Sequence, residues 1–271
     1  MPGSKENEDT FTSLAEGSTD SAAVKKYYDD WAKDYDQTLD DWEYRTPADA
    51  AALIFPQLST GNRILDVGCG MKPYESLLNT SGSKYYGTDY PITMEGSYGD
   101  STRADFFSDS MVLPFREGTF DTVISTQMLE HVRKPEVVVY EMSRVLKPDG
   151  ILILSAPMTW PLHEEPYDFY RYTLHGLRHL LEEADFEILD EVRRGNNLTT
   201  LAQMFLDTQL ANIGQALPQR VYSTLLSLVV NQACSVGNLF KPVRRLCLGW
   251  VMAARKMSAG ELTPPDIKQF N

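Results

Sequence analysis

ILDVGCGMKPY, residues 64 to 74, sets an apolar run against one acidic residue and two glycines. The run reads as a short buried strand. Gly68 and Gly70 stand just past its end, where missing side chains let backbone N–H groups come close to a bound molecule. Asp66, at the end of the same strand, can accept hydrogen bonds or balance a positive charge. Lys72 and Pro73 fall where a helix begins, and proline is tolerated in a first turn. The loop is bare at one end and stiffened at the other.

Outward from this stretch, strands and helices alternate. RILDVG (63 to 68), KYYGTD (84 to 89), FDTVIST (120 to 126) and ILILSAP (151 to 157) are short apolar runs. A helical stretch from about Glu136 to Leu146 lies between the last two, closed by the turn signal KPDG at Lys147 to Gly150. This order predicts an α/β fold, a parallel sheet covered on both faces, with ligands at the carboxyl ends of the strands where the strand order reverses. The second strand ends in Asp89, 23 residues after Asp66. An acidic residue there suits a two-point hold on ribose hydroxyls, so two strand ends converge on one nucleoside.

At 271 residues and 42% hydrophobic content, the chain can bury one sizeable core. A net charge of −13 would repel phosphate backbones, so no nucleic-acid partner is expected. No run approaches the ~20 apolar residues of a membrane span, and the N-terminus lacks the blocks of a signal peptide. A cytoplasmic protein with no stable membrane insertion is the expectation. Cys69, Cys234 and Cys247 are too scattered for a disulfide framework or a thiolate metal site. Residues 1–21 read as a disordered tail and 257–271 as a flexible one. Between them one domain spans 22–256: N-terminal helices (22–60), a core (61–195), a helical cap insertion (196–244) and a final strand (245–256). Val24, Tyr27, Tyr28, Trp31 and Tyr35 form an apolar stripe on one helix face, which packs in the core or helps cover a ligand.

The loop is Asp-x-Gly-x-Gly, not the Gly-x-Gly-x-x-Gly of dinucleotide binders, and no Gly-Lys-Ser/Thr follows it. SDSMVLPFREGTFDTVISTQMLEHV adds an acidic-polar pair, Asp109 and Ser110, ahead of LPF, then a strand opening into a helix. LKPDGILILSAP closes the series. With these four ordered motifs the chain resembles the class I S-adenosylmethionine-dependent methyltransferases, in particular the group related to ubiquinone/menaquinone-biosynthesis methyltransferases, from about Tyr27 to Glu191. The resemblance implies a Rossmann-like doubly wound, mostly parallel seven-stranded sheet, and S-adenosyl-L-methionine as cofactor. It implies that Asp66, Gly68 and Gly70 line the methionine part and that Asp89 holds the ribose. Tyr90 would flank the adenine, Asp109 meet its amino group, Ser110 a ring nitrogen, and Gln127 and Met128 lie beneath the sulfonium. Tyr28 and Tyr35 would cover the cofactor. Lys72 departs from the third glycine of many relatives and reads as a solvated surface lysine or an anion binder. Asp185 replaces a helix-closing glycine, a place that Asp tolerates.

A sulfonium already carries a good leaving group, so such a site mainly aligns a nucleophile about 3–3.5 Å from the methyl and excludes water. A hydroxyl acceptor wants a general base. The candidates are His163, then His131, with His175 and His179 read as helix-surface residues; His131 also suits a hydrogen-bonded helix terminus. Glu130 either caps the helix or holds a substrate cation. TWPLHEEPYDFYRYT, residues 159 to 173, forms the pocket rim, with Trp160, His163, Tyr167, Tyr170 and Arg171 facing a small organic substrate with an apolar body. His163, Glu164, Glu165 and Asp168 lack the spacing of an ordered metal motif, so no metal is expected. Arg171 and Thr173 start and anchor the following helix.

FEILDEV resumes a strand, and RLCLGWVMAARK, Arg245 to Lys256, resembles the family's closing strand. The insertion between them carries the stripes Leu198, Leu201, Phe205 and Val221, Leu225, Leu228, Val229. They are expected to pack, to form a lid over a hydrophobic substrate, or to make a homodimer interface. Three functions stay open: methyl transfer to O, N or C of a secondary metabolite or a quinone- or isoprenoid-like acceptor; methyl transfer to a sugar or lipid-linked polysaccharide intermediate; and a cofactor-binding regulatory module without catalysis.

Overall fold

The computed structural model describes residues 50–53, 56, 58, 60–79, 82–90, 103–210, 217–238 and 245–257. Both expected tails apart from Met257, and the aromatic stripe with Tyr28 and Tyr35, lie outside them. The described chain runs β1 (Arg63–Val67), α1 (Glu75–Asn79), β2 (Lys84–Asp89), β3 (Phe106–Phe107), β4 (Phe120–Thr126), α2 (Pro135–Val145), β5 (Leu146–Pro157), α3 (Leu174–Glu183), β6 (Phe186–Arg194), α4 (Asn197–Leu210), α5 (Leu217–Asn238) and β7 (Gly249–Lys256). The seven strands are ordered β3-β2-β1-β4-β5-β7-β6, and β7 is antiparallel to both neighbours. The strand order reverses between β1 and β4, which puts the crevice for a ligand at their carboxyl ends.

The apolar runs are continuous because the sheet is buried on both faces. In β5, Leu152 and Leu154 join Leu65, Val138, Met142 and Leu177 on one side, under α2 and α3. Ile151 and Ile153 join Ile64, Tyr74, Leu78 and Val251 on the other, under α1. At about 1.5–3 kcal/mol for each large side chain removed from water, these two layers fix the register of every central strand.

Lys147 to Gly150, expected as a turn after the helix, is an excursion within β5. Leu146 pairs with Phe120, and the register shifts before Thr122 meets Ile151. Asp149 takes a left-handed φ of 61° there. α3 starts where Thr173 Oγ1 accepts the Gly176 N–H at 3.1 Å, and Asp185, at φ 60°, follows its end. The two-residue strand β3, both of whose residues are exposed, carries no periodic signal in the sequence.

Among the described residues the insertion is two helices, and of the three alternatives for its stripes, packing holds for Leu198 but not for the others. Its seam is built from small and buried residues: Leu198 fills the space over Gly237, where a Cβ would come within 2.2 Å of Leu198 Cδ2, with Thr200, Leu206 and Cys234 buried nearby. The larger stripe does not pack. Leu201, Phe205, Val221, Leu225, Leu228 and Val229 are exposed, Val229 by 66%. Helical periodicity marks an apolar face but not what covers it. No helix among the described residues is long and apolar enough to cross a membrane.

Candidate active site

The loop after β1 folds over the tip of β2. The Gly68 and Cys69 N–H groups both donate to the Thr88 carbonyl, at 2.9 and 3.1 Å, and the Gly70 N–H donates to Asp89 Oδ2 at 2.8 Å. These donors are therefore engaged by the tip of β2, and the expectation that they face a ligand is corrected. The bare positions make room instead. At Gly68, with φ +77°, a side chain would occupy the place of Met128.

Asp89 is buried, and its other oxygen accepts the Tyr90 N–H at 2.7 Å. Burial raises its pKa, and the Gly70 and Tyr90 donors counter part of that rise. Each oxygen keeps a lone pair for hydroxyl donors. Tyr90 lies exposed just past it. Asp66 is 1% exposed; its Oδ2 accepts the Tyr85 hydroxyl, and Oδ1 has no hydrogen-bond partner among the described residues. Burial pushes its pKa up to about 7 against the opposing Tyr85 bond, and the nearby Asp89 adds to the rise. A buried carboxyl with a vacant oxygen fits a cationic donor.

Lys72 is not a surface residue. It is buried, with Nζ 2.6 Å from Asp105 Oδ2 and 3.4 Å from Glu75 Oε1. Burial alone would lower its pKa, but the hydrogen bond and charge of Asp105, helped by Glu75, hold it above the usual lysine range. Asp105 also accepts the Gly87 N–H at 2.8 Å, so Lys72 ties the loop to the β2 edge. The sequence does not show the Asp105 partner of Lys72, which is 33 residues away.

Beyond β3, Asp109 and Ser110 are half-buried, and Asp109 Oδ1 accepts the Met111 N–H at 2.8 Å. The following LPF segment is clamped from α2. Glu141 Oε2 accepts the Leu113 N–H at 2.8 Å, and Arg144 donates to the Leu113 and Phe115 carbonyls at 2.9 and 2.8 Å while paired with Glu141 at 2.6 Å. An i,i+3 pair on a helix reads as solvated from sequence, and this one turns inward.

At the tip of β4, Gln127 takes a left-handed φ of 51°, with Nε2 donating to Ser155 Oγ at 2.9 Å. Strain of this kind gathers at working sites. A 3-10 turn, Leu129–His131, follows. Glu130 is 0% exposed, and neither carboxyl oxygen has a hydrogen-bond partner among the described residues. It does not cap α2, whose N-cap is Lys134. Burial pushes its pKa up to about 7, with His131 opposing. His131 Nδ1 lies 2.9 Å from the Tyr167 carbonyl, and its Nε2 is 3.9 Å from both Glu130 Oε1 and Glu164 Oε2. The His163 ring meets it edge-on, centroids 4.7 Å apart. Burial, with His131 beside it, pushes the His163 pKa down to about 4, so this imidazole is neutral at pH 7. His175 and His179 are exposed on α3.

The rim is fastened to this turn. The Phe169 and Tyr170 N–H groups donate to the Glu130 carbonyl at 2.9 and 3.3 Å, and the Tyr172 hydroxyl to the Leu129 carbonyl at 2.9 Å. Arg171 grips both oxygens of Asp168, at 2.5 and 2.8 Å, and the Trp160 and Pro161 carbonyls at 3.0 and 2.7 Å. It shapes the rim from within, whereas Tyr167 and Tyr170 are exposed and Trp160 and His163 half-buried. The structure thus joins His131, Glu130 and His163 in one cluster beside Gln127 and Met128.

Residues 39–191, more than half of the chain, match the family described as "Methyltransferase domain". The chain is 26% identical over 171 residues to 24-methylenesterol C-methyltransferase 2 of Oryza sativa subsp. japonica, covering 60% of this chain and 46% of that protein. It is 29% identical over 132 residues to 2-methyl-6-phytyl-1,4-hydroquinone methyltransferase of a Synechocystis strain, covering 46% and 41%. It thus spans less than half the length of these curated relatives. Among solved structures, 1,6-didemethyltoxoflavin-N1-methyltransferase of Burkholderia thailandensis, with 1,6-didemethyltoxoflavin and S-adenosylhomocysteine bound, shares the fold at a TM-score of 0.51 and 18% identity, over 87% of this chain and 88% of that one.

Proposed function

The chain belongs to the methyltransferase-domain family, and from that premise we propose that it transfers the methyl group of S-adenosylmethionine to a small organic acceptor with an apolar body. The observation that carries the cofactor reading is Asp66: a fully buried carboxyl with one oxygen unbonded among the described residues, in the crevice that Asp89 borders. Asp66 would hold the cofactor's amino group, Asp89 the ribose hydroxyls, and Tyr90 with Asp109 and Ser110 the adenine. Bound there, the sulfonium supplies an electrophilic methyl whose carbon–sulfur electron pair returns to sulfur as the acceptor's lone pair bonds to carbon.

Around the acceptor, Trp160, Tyr167 and Tyr170 offer apolar faces with polar tips. The Arg171–Asp168 clamp holds that rim in shape and helps exclude water. Glu130, His131 and His163 would take the proton of an acceptor hydroxyl, and burial pushes the Glu130 pKa up to about 7, which suits that task. The exposed apolar face of α4 and α5 supports self-association. Three buried free thiols support a reducing, cytoplasmic setting.

Incubation with methyl-labelled S-adenosylmethionine and a panel of phenols, hydroquinones, amines and sugars tests the reading. A labelled, mass-shifted product is expected. Absence of both S-adenosylhomocysteine binding in calorimetry and of any labelled product would overturn it.

A further inference from the structure

Glu130, His131 and His163 place one metal-ligating atom each within 4.8 Å of one another. We propose that these three side chains form a site for one divalent transition-metal ion of the Zn2+ class, and that the ion holds the oxygen of the methyl acceptor. The two parts are separable. The site stands on geometry, and its role in activating the acceptor rests on the methyl-transfer reading.

The donor set is two imidazoles and one carboxylate, a combination that suits Zn2+ and its neighbours and is too rich in nitrogen for Mg2+ or Ca2+. Three protein ligands leave a fourth position open, as catalytic sites do. In a tetrahedral set with bonds near 2.0–2.1 Å the donor atoms lie about 3.3 Å apart, so closing from the observed spacing needs side-chain shifts on the order of 1 Å.

Both imidazoles are already oriented as ligands. His131 Nδ1 faces the Tyr167 carbonyl at 2.9 Å, and His163 Nδ1 faces the Pro161 carbonyl at 3.2 Å and Asp168 Oδ2 at 3.3 Å. A carbonyl only accepts, so the His131 proton belongs on Nδ1; at His163 the Pro161 carbonyl and Asp168 lie closer to Nδ1 than the Arg171 Nη2 donor at 3.5 Å and favour the same tautomer, leaving the Nε2 lone pairs for a metal. For His131 that nitrogen stands 3.9 Å from Glu130. Asp168 is itself locked by Arg171, completing the outer support that metal-bound histidines use.

Glu130 supplies the independent observation. It is completely buried, neither oxygen is hydrogen-bonded among the described residues, and it caps no helix. A buried carboxyl whose oxygens accept no hydrogen bond among the described residues is costly, and a cation at the cluster compensates it. Glu164 Oε2 lies 3.9 Å from His131 Nε2, so a second carboxylate borders the cluster.

The cluster begins two residues past Met128, which abuts Gly68 of the cofactor loop. An acceptor oxygen on the ion ionises near neutral pH, as zinc-bound water does at about 7. Its proton leaves to solvent. The oxyanion then bonds to the methyl carbon of the sulfonium, and the carbon–sulfur bond breaks with its electron pair remaining on sulfur. The site thereby favours hydroxyl acceptors over amines and carbon nucleophiles.

The test is a calorimetric titration of the chelator-treated full chain with Zn2+, repeated with Co2+ read by visible absorption. One ion per chain is expected, with a four-coordinate Co2+ spectrum. Glu130→Gln and His163→Ala should each weaken uptake at least ~10-fold. The paired change His175→Ala with His179→Ala removes the exposed i,i+4 histidines that can attract Zn2+ by themselves, and should leave uptake unaltered. S-adenosylhomocysteine titrated into the same samples reports folding and the cofactor crevice. His163 lies on the half-exposed rim, so that variant decides the matter if Glu130→Gln does not fold. Absence of saturable uptake, uptake that survives in His163→Ala, or uptake lost with the α3 histidines would each overturn the site. Zn2+ uptake by a protein that does not bind S-adenosylhomocysteine would instead strike the methyl-transfer reading.

Discussion

Met128 occupies the space a side chain at Gly68 would need: a Cβ there would stand 2.4 Å from Met128 Cγ and 2.8 Å from its Cβ. The tips of β1 and β4 are thus locked together across the point where the sheet reverses direction. Gly68→Ala must both displace Met128 and hold φ +77°, a conformation costing about 1–3 kcal/mol without glycine. Stability lower by at least that amount in denaturant melts is expected, together with at least ~10-fold weaker S-adenosylhomocysteine binding. Truncating Met128 to Ala in the same chain should restore part of the stability, because the two changes share one contact.

Asp89→Ala removes the carboxylate that would hold the ribose and leaves the Gly70 and Tyr90 N–H groups without their acceptor. Hydrogen bonds to a charged group are worth about 1.5–3 kcal/mol, so affinity for S-adenosylhomocysteine should fall roughly 10- to 150-fold. Calorimetry at constant pH measures this. An unchanged dissociation constant would remove Asp89 from the site.

The Asp66 carboxyl ionises near 3.8 in an unfolded chain and near 7 in the folded one. Between those values the folded state holds the extra proton. Its stabilising contribution is therefore complete below about pH 4 and lost as pH rises through 7. At about 1.4 kcal/mol per pKa unit, the ligand-free chain should be weaker at pH 8 than at pH 5 by a few kcal/mol from this group. Asp66→Asn should flatten that slope in melts recorded across the window, and bound cofactor should do the same by placing a cation against the charge. An identical slope in Asp66→Asn would assign the pH dependence to other groups.

Arg171→Lys keeps the charge but loses the two-point grip on Asp168 and the bonds to the Trp160 and Pro161 carbonyls. Faster hydrogen exchange over residues 160–171 is expected, with S-adenosylhomocysteine affinity within about twofold of the original. Exchange unchanged in that segment would show that the rim is held by its other anchors.

Leu225, Leu228 and Val229 share an exposed face of α5. If two copies meet there, changing Leu228 to Glu and Val229 to Lys should convert a dimer to a monomer in light scattering while leaving the melting temperature within a few degrees. A monomer before the change would rule out that interface.

Much of the architecture follows from local pattern. Apolar runs ending in turn residues located β1, β2, β4, β5 and β6 to within a few residues, and Asp-x-Gly-x-Gly placed the loop at the sheet's reversal. β3 escaped because two exposed phenylalanines make no pattern. Asp66 and Asp89 stood out in the sequence as carboxylates at strand ends, where ligands sit in such sheets, and the structure buries both. Lys72 was misread because its partner Asp105 arrives from another strand's approach.

The remaining differences share one cause. Periodicity records which face of an element is apolar and where it stops, since those depend on neighbours one turn or one pleat away. It does not record what meets that face or tip. Glu130 and His131 follow β4 while His163 belongs to the rim after β5, and their approach to within 4.8 Å arises only when the two strand ends are paired side by side. The apolar faces of α4 and α5 were written in the chain, and their exposure was set by which small residues formed the seam between them.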